Sequence, residues 1–528
     1  MNPAAMNTAL ATIVALLALS AAGLVPVAAA VGPRWYAIPL TPLAGAVVAA
    51  VAATASLSFG GSLLDWFVGL AVGAALVVFI VWMQRPELGP WGRYSGRRRA
   101  GRVRYRAVGA VGFLAVVASC AICLRGLRTP TVGFDARALW VMRPGWFLQS
   151  HAQLLVDMRV RGLVLTQSAY PPLVSASAAV AWRVTGVHTA RLGVTTIAVL
   201  NMCALSAAAL AIVDAGRTAA ARRAGGGLLE GGRPTQGWGT GPIGLPESAV
   251  RPPWAPMLVG LLAAVLLVFV SAGVTEPFLT NGYADPLWSL AAVGAVAFGL
   301  QSLTDRSTRA ATVVLLLVAG LTKDEGFVTA VALVALVAAR SIGWDGLRGR
   351  RRWVAPVVLA VAELAVLAWW PVLMHAIGAR GASSTFTTSN ITASRASAVV
   401  HGMSPYLHVL VLALPLSVVG GLALAAVRRR AGLGNDLWAW LALAVGLVAV
   451  GGALVSGSGA ILPWIRSTVH RITEYPVLEA WWIIAAWAVV ASSGIGGRAE
   501  SPSSDASVEG REQSQSAQTA PSPVGAPS

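Results

Sequence analysis

Residues 62–83 read SLLDWFVGLAVGAALVVFIVWM, with Asp65 their only charged side chain, and soon after them comes an arginine block of Arg93, Arg97, Arg98, Arg99, Arg102, Arg104 and Arg106. A helix rises about 1.5 Å per residue, so a run of about 20 apolar residues spans the roughly 30 Å hydrocarbon core of a bilayer. The helical form follows because it satisfies every backbone N–H and C=O within the segment, where lipid offers no partner. The arginines that follow set a side, since cytoplasmic loops collect Lys and Arg.

Outward from this segment the pattern repeats. Comparable runs occupy 7–31, 36–59, 107–125, 190–213, 255–274, 286–303, 353–376, 405–427, 437–455 and 477–494. Two shorter runs, 309–322 and 326–340, flank the polar island Thr322-Lys323-Asp324-Glu325-Gly326. Charge is tolerated at membrane depth only against protein or a wet cavity, so these runs predict two spans joined by an extracytoplasmic turn, with one broken re-entrant element as the alternative. The expectation is an all-α, polytopic membrane protein with about thirteen transmembrane helices. Its parts would be additional N-terminal spans over 1–83, a basic cytoplasmic loop over 84–106, a transmembrane core over 107–494 and a disordered cytoplasmic tail over 495–528, where large apolar residues are scarce.

Composition points the same way. Of 528 residues, 56% are hydrophobic and 11% charged, too apolar a mixture for a domain that must cover itself with ions. Lys and Arg outnumber Asp and Glu by 39 to 21, but the surplus comes in short blocks separated by apolar sequence. Nucleic acid needs a continuous basic surface, so it is excluded as a partner. Cys120, Cys123 and Cys203 lie inside apolar runs, and the Cys120/Cys123 pair has no His or acid beside it to make a reactive thiolate. The Gly- and Pro-rich stretch 225–253 lacks the Lys-Ser/Thr of a phosphate loop and reads as a flexible connection.

Three further basic clusters, at Arg217/Arg222/Arg223, Arg348/Arg350/Arg351/Arg352 and Arg428/Arg429/Arg430, fall on the same side of the predicted spans as the first. That places the loops around 126–189, 275–285, 377–404 and 456–476 on the outer face of a multi-pass protein of the cell membrane. Loop 126–189 opens with Gly133-Phe134-Asp135-Ala136 and reaches Tyr170-Pro171-Pro172-Leu173. The paired prolines hold an extended lead into the short apolar stretch 173–182, which Arg183 and Gly186 close. It predicts a helix lying at the membrane surface.

In order, spacing and sidedness these segments resemble the outer loops of the GT-C superfamily of membrane glycosyltransferases, in the protein O-mannosyltransferase and aminoarabinose-transferase-like branch. The resemblance rests on Asp135 with Trp140 just after a span, the Pro-Pro-Leu helix, Gly186 to Leu192, Asn281 to Leu287, Leu321 to Gly326, and Ser467 to Arg471 followed by Tyr475-Pro476. It covers roughly 105–485 and leaves the three leading spans outside the usual core. It implies a long first catalytic loop carrying surface helices, an active site on the extracytoplasmic side, and transfer of a sugar from a polyprenyl-phosphate donor to a hydroxyl on a glycan, lipid or protein acceptor. Asp135 would be the general base, with Asp285 the second acid. Tyr170, Pro171, Lys323, Glu325 and Arg471 would line the substrate, the two cations facing the charge that grows on the lipid phosphate. The resemblance fixes no cofactor and leaves the use of a divalent metal open.

Each of these residues also has a structural reading. Asp135 fits an N-terminal helix cap, Asp285 before Pro286 fits a helix start, Lys323 fits a self-neutralising turn with Asp324 and Glu325, and Arg471 fits a side chain reaching for headgroups. At the level of the whole chain the alternatives are a secondary transporter and a non-catalytic protein of cell-envelope assembly. Transporters commonly carry two similar halves with broken helices at matching places, a repeat this sequence lacks.

Overall fold

The computed structural model describes residues 3–493 apart from 85–98, 125–131, 133–135, 138–141, 160–168, 226–253, 277, 302–304, 348–352, 380–390, 404–435, 457–461, 464, 466–468, 470 and 472. Arg93, Arg97 and Arg98 of the first arginine block, Asp135, Ser467, the predicted span 405–427 and the tail therefore lie outside the described residues. Within them the fold is all-helical. Among the described residues seven helices are long and apolar enough to cross a membrane. They are α1 (Pro3–Val31), α2 (Ala37–Phe59), α3 (Leu63–Gln84), α8 (Ala190–Gly225), α9 (Ala255–Thr275), α12 (Asp324–Leu347) and α13 (Val354–Ala376). Between and after these come α4 (Arg99–Cys123), the short α5 (Arg143–Trp146), α6 (His151–Arg159) and α7 (Leu173–Thr185), then α10 (Asp285–Gln301), α11 (Arg306–Thr322), α14 (Ala393–Met403), α15 (Asp436–Ser456) and α16 (Glu474–Ser493).

Small residues let the helices approach closely. A Cβ added to Gly45 of α2 would lie 1.8 Å from the Leu19 carbonyl oxygen of α1, so the backbones meet with no room for a side chain. The crossing of α8 and α9 is built likewise: a Cβ on Gly216 would lie 2.5 Å from the Pro256 carbonyl oxygen. Around these contacts α2 is buried along its alanine-rich length and packs on α7, α8 and α11. The N-terminal spans are thus joined to the same hydrophobic core as the later ones. By contrast α3 presents Val68, Val72, Leu76, Phe79 and Ile80 outward, as a helix facing lipid should.

Side-chain contacts between turns mark two ends of the bundle. At one, the turns after α9 and α11 meet the start of α16, and Arg159 donates to the Ile377 carbonyl at the end of α13 over 2.9 Å. We call this the site end. At the far end Arg34, between α1 and α2, pairs with Asp214 of α8 at 3.8 Å and with Asp305, before α11, at 3.4 Å. Arg217, one turn further along α8, joins Asp214 at 2.5 Å, and Arg34 thus ties the α1–α2 turn to α8 and to the start of α11.

One expectation changes. The helix over 173–185 forms, and Gly186, at φ 67°, ends it with its N–H on the Trp182 carbonyl. Yet every residue from Leu173 to Trp182 is buried, against α1, α2 and α8. Its shortness and its close at Arg183 and Gly186 suggested a helix on the membrane surface; instead the leading spans α1 and α2 cover it.

Candidate functional site at one end of the bundle

The polar island splits α11 from α12 at a single residue. Lys323 has an extended backbone, with φ −158° and ψ 160°, and its carbonyl accepts from Phe327 N–H in the first turn of α12. Gly326 permits this tight reversal, since a Cβ there would lie 2.2 Å from the Ala319 carbonyl oxygen. The turn points the Lys323 ammonium inward, where the side chain is 5% exposed.

Its partner comes from the preceding hairpin, between α9 and α10. Asp285 opens α10 and is 2% exposed; its Oδ1 accepts from Lys323 Nζ at 2.6 Å. Glu325 Oε1 lies 3.3 Å from the same ammonium. The ion pair therefore joins Lys323 to Asp285 and Glu325, where the sequence suggested Asp324 and Glu325. Burial alone pulls the lysine pKa down, but the two carboxylates outweigh it and hold it above the ordinary lysine range.

The turn 276–284 that delivers Asp285 is itself fixed. Buried Asn201 of α8 donates to the Leu279 carbonyl over 2.9 Å, and the Asn281 side chain accepts from Tyr283 N–H. Gly282 takes φ 89°, and a Cβ on it would lie 3.1 Å from that of Ala136. Ala136, fully buried and next in sequence to Asp135, thus packs on the turn that carries Asp285. Asp135 itself lies outside the described residues.

Two more predicted residues reach the same place. The Arg471 guanidinium sits 5.2 Å from the centre of the Tyr283 ring, a cation–π contact, and acts electrostatically on Asp285 and Lys323. Tyr170 and Pro171 are buried beneath the cluster. Burial pushes the Tyr170 hydroxyl well above its usual pKa, and the charges of Glu325, Asp324 and Asp285 push it the same way. Trp370 of α13 donates to the Ala169 carbonyl at 2.8 Å and pins this segment.

Three residues that the sequence reading passed over belong to the cluster. Arg143 of α5 is fully buried and donates to the Tyr170 carbonyl at 2.8 Å. Burial pushes its guanidinium down to about 10, with Asp324 opposing, so it stays charged at neutral pH. Glu474, fully buried at the start of α16, accepts from Ser289 of α10 at 3.2 Å, and Ser289 also donates to the Asp285 carbonyl. Glu474 had a signal: it is an acid three residues before the predicted span 477–494, much as Asp285 stands just before 286–303. Arg143 had none beyond its place in a long loop.

The result is four acids, Asp285, Asp324, Glu325 and Glu474, set among Lys323, Arg471 and Arg143 in a largely buried region. Such a site can fix a carboxylate beside a cation and offer positive charge to an anion. Among the described residues no three His, Cys, Asp or Glu side chains gather so as to hold a metal ion.

Fold and cluster together define an α-helical bundle suited to a bilayer, with a buried ionic site at one end. No protein-family model matches the chain, and no curated protein or solved structure does either.

Proposed function

We propose that the protein is a GT-C-type membrane glycosyltransferase that moves a sugar from a polyprenyl-phosphate donor to a hydroxyl acceptor on the extracytoplasmic face of the cell membrane. The observation that carries this reading is convergence. Residues 170, 285, 323, 325 and 471, singled out from four separate stretches of sequence, meet at one end of the bundle. The full count of about thirteen spans takes the seven long helices together with α4, α10, α11, α15, α16 and the segment 405–427.

In this reading Asp135 takes the proton from the acceptor hydroxyl, which is a poor nucleophile until a carboxylate removes it. Charge then grows on the departing lipid phosphate, and a fixed cation in a dry site stabilises it without reorganisation. Arg471 suits that task. Lys323 is held by Asp285 and Glu325, so its part is to fix Asp285 and to set the local potential.

The test uses purified protein in nanodiscs with a panel of polyprenyl-phosphate hexoses and pentoses and an envelope extract as acceptor. Donor consumption is expected, with release of polyprenyl phosphate. A folded protein that consumes no member of the panel would remove the reading.

A further inference from the structure

Beyond Glu474, about 7.5 Å further along the axis of α16, stands a second acid, Glu479, inside the predicted span 477–494. It is fully buried, and neither of its carboxyl oxygens has a hydrogen-bond partner. No other acid among the described residues has both oxygens enclosed and unpaired. Trp482, one turn further on, also has an enclosed N–H without an acceptor, so it does not serve Glu479.

The helices packed on α16 bring it no counter-charge. They are α8, α9, α10 and α15. Along its length α9 has no titratable side chain, and α15 has only Asp436 in its first turn. On α8 Arg191 lies in the first turn, Cys203 is an uncharged thiol, and Asp214 pairs with Arg217 and Arg34 at the far end. On α10 Asp285 is held by Lys323. The charges of Asp285, Lys323 and Arg471 act on Glu474 and do not extend to Glu479. Tyr475, one turn back, is its titratable neighbour, but that hydroxyl donates to the Ala442 carbonyl of α15 at 3.3 Å. An ionised carboxylate with no water, donor or cation is far costlier to bury than a neutral acid, so a group placed like this keeps its proton.

We propose that Glu479 is a proton-binding site, and that its proton is what lets α16 seat against α8, α9 and α10. Unfolded, the exposed acid gives up that proton in the ordinary carboxylate range, near about pH 4.3; folded, it retains it. Stability therefore falls as pH rises through the interval in which only the folded state holds the proton, by about tenfold in the unfolding equilibrium per pH unit. Because α16 begins at Glu474 and follows Arg471, the same proton holds the site end together. The inference is independent of the glycosyltransferase reading.

The experiment compares the full chain in nanodiscs with Glu479→Gln, which keeps the shape of a neutral acid, and with Glu479→Met, which removes the polar group. Both variants should fold. Thermal midpoints followed between about pH 5 and pH 9 should show Glu479→Met gaining on wild type as pH rises. The infrared difference between wild type and Glu479→Met at neutral pH should contain the C=O stretch of a carboxylic acid. A carboxylate band in that difference, a gap in midpoint that does not change with pH, or strong destabilisation of both variants at neutral pH would each overturn the proposal, the last by showing that an ionised Glu479 meets a partner.

Discussion

Lys323 and Asp285 show how far one residue's role depends on what faces it. Read alone, Lys323 is a cation waiting for a phosphate; with Asp285 Oδ1 at 2.6 Å and both side chains almost fully buried, it is half of an ion pair. Removing one partner of such a pair leaves an uncompensated buried charge and costs about 3–5 kcal/mol, whereas removing both costs far less. Lys323→Met should therefore lower the thermal midpoint in detergent strongly, and Asp285→Asn with Lys323→Met should recover much of the loss. Additive losses in the double variant would mean that the pair is not coupled. Because the lysine pKa is raised in the folded protein, this stabilisation is present through neutral pH and is lost only as pH rises past the folded value. A different substitution separates chemistry from structure: Asp135→Asn keeps the size and can still cap a helix, but cannot accept a proton. It should cut sugar transfer by about 10²–10⁴ with donor binding intact. Near-normal turnover would make Asp135 a cap. For Arg471→Ala, loss of a charge-assisted phosphate contact predicts donor use weakened about tenfold or more, and unchanged donor kinetics would remove it from the site.

Between residues and the whole lie the helices, and here the sequence was most legible. Length and apolarity located the membrane-length helices among the described residues, because a span is decided by local composition and needs no partner to be recognised, although α4, α8 and α12 continue well beyond their apolar runs and the short α5, α6 and α14 carried no such signal. The break at Lys323 was legible for the same reason: charge cannot sit inside a lipid-facing run. What a helix packs against is decided elsewhere in the chain. Hence α7 looked like a surface helix, since nothing within 173–185 announces that α1 and α2 will cover it. The site divides in the same way. Residues with a local signature, such as Asp285 and Arg471, could be named in advance, whereas Arg143 became visible only when the Tyr170 segment folded over it. The crossing of α1 and α2 offers a direct test at this scale. Gly45→Leu would drive a side chain into the Leu19 carbonyl and force the two helices apart, while Gly73→Leu on α3 meets nothing within 4 Å. Overpacking of this kind costs typically about 1–3 kcal/mol, and more when backbone is the obstacle. The first variant should melt lower and the second should match wild type; equal behaviour would mean that the α1–α2 contact is not close.

For the molecule as a whole, the question is which end faces the cytoplasm, because outer-face chemistry depends on it. The arginine blocks argue that the far end does, with Arg98, Arg350 and Arg429 marking the loops held back by the cytoplasmic bias for basic residues. Independently, the fold gathers Asp285, Lys323, Arg471 and Tyr170 at the opposite end from the Arg34, Asp214 and Arg217 ion pairs. A lipid-linked sugar presented from the outer leaflet can reach that cluster only if this end is outside. In a background lacking Cys120, Cys123 and Cys203, single cysteines near Arg98, Arg350 and Arg429 should resist an impermeant maleimide added to intact cells and react after permeabilisation. Cysteines near Ser150, beside the His151 side chain that holds α6 to the end of α2, and near Ser389 should react at once. The reverse pattern would turn the bundle over. It would leave the ionic cluster intact but place it on the cytoplasmic face, where an acceptor or donor of a different kind would have to meet it.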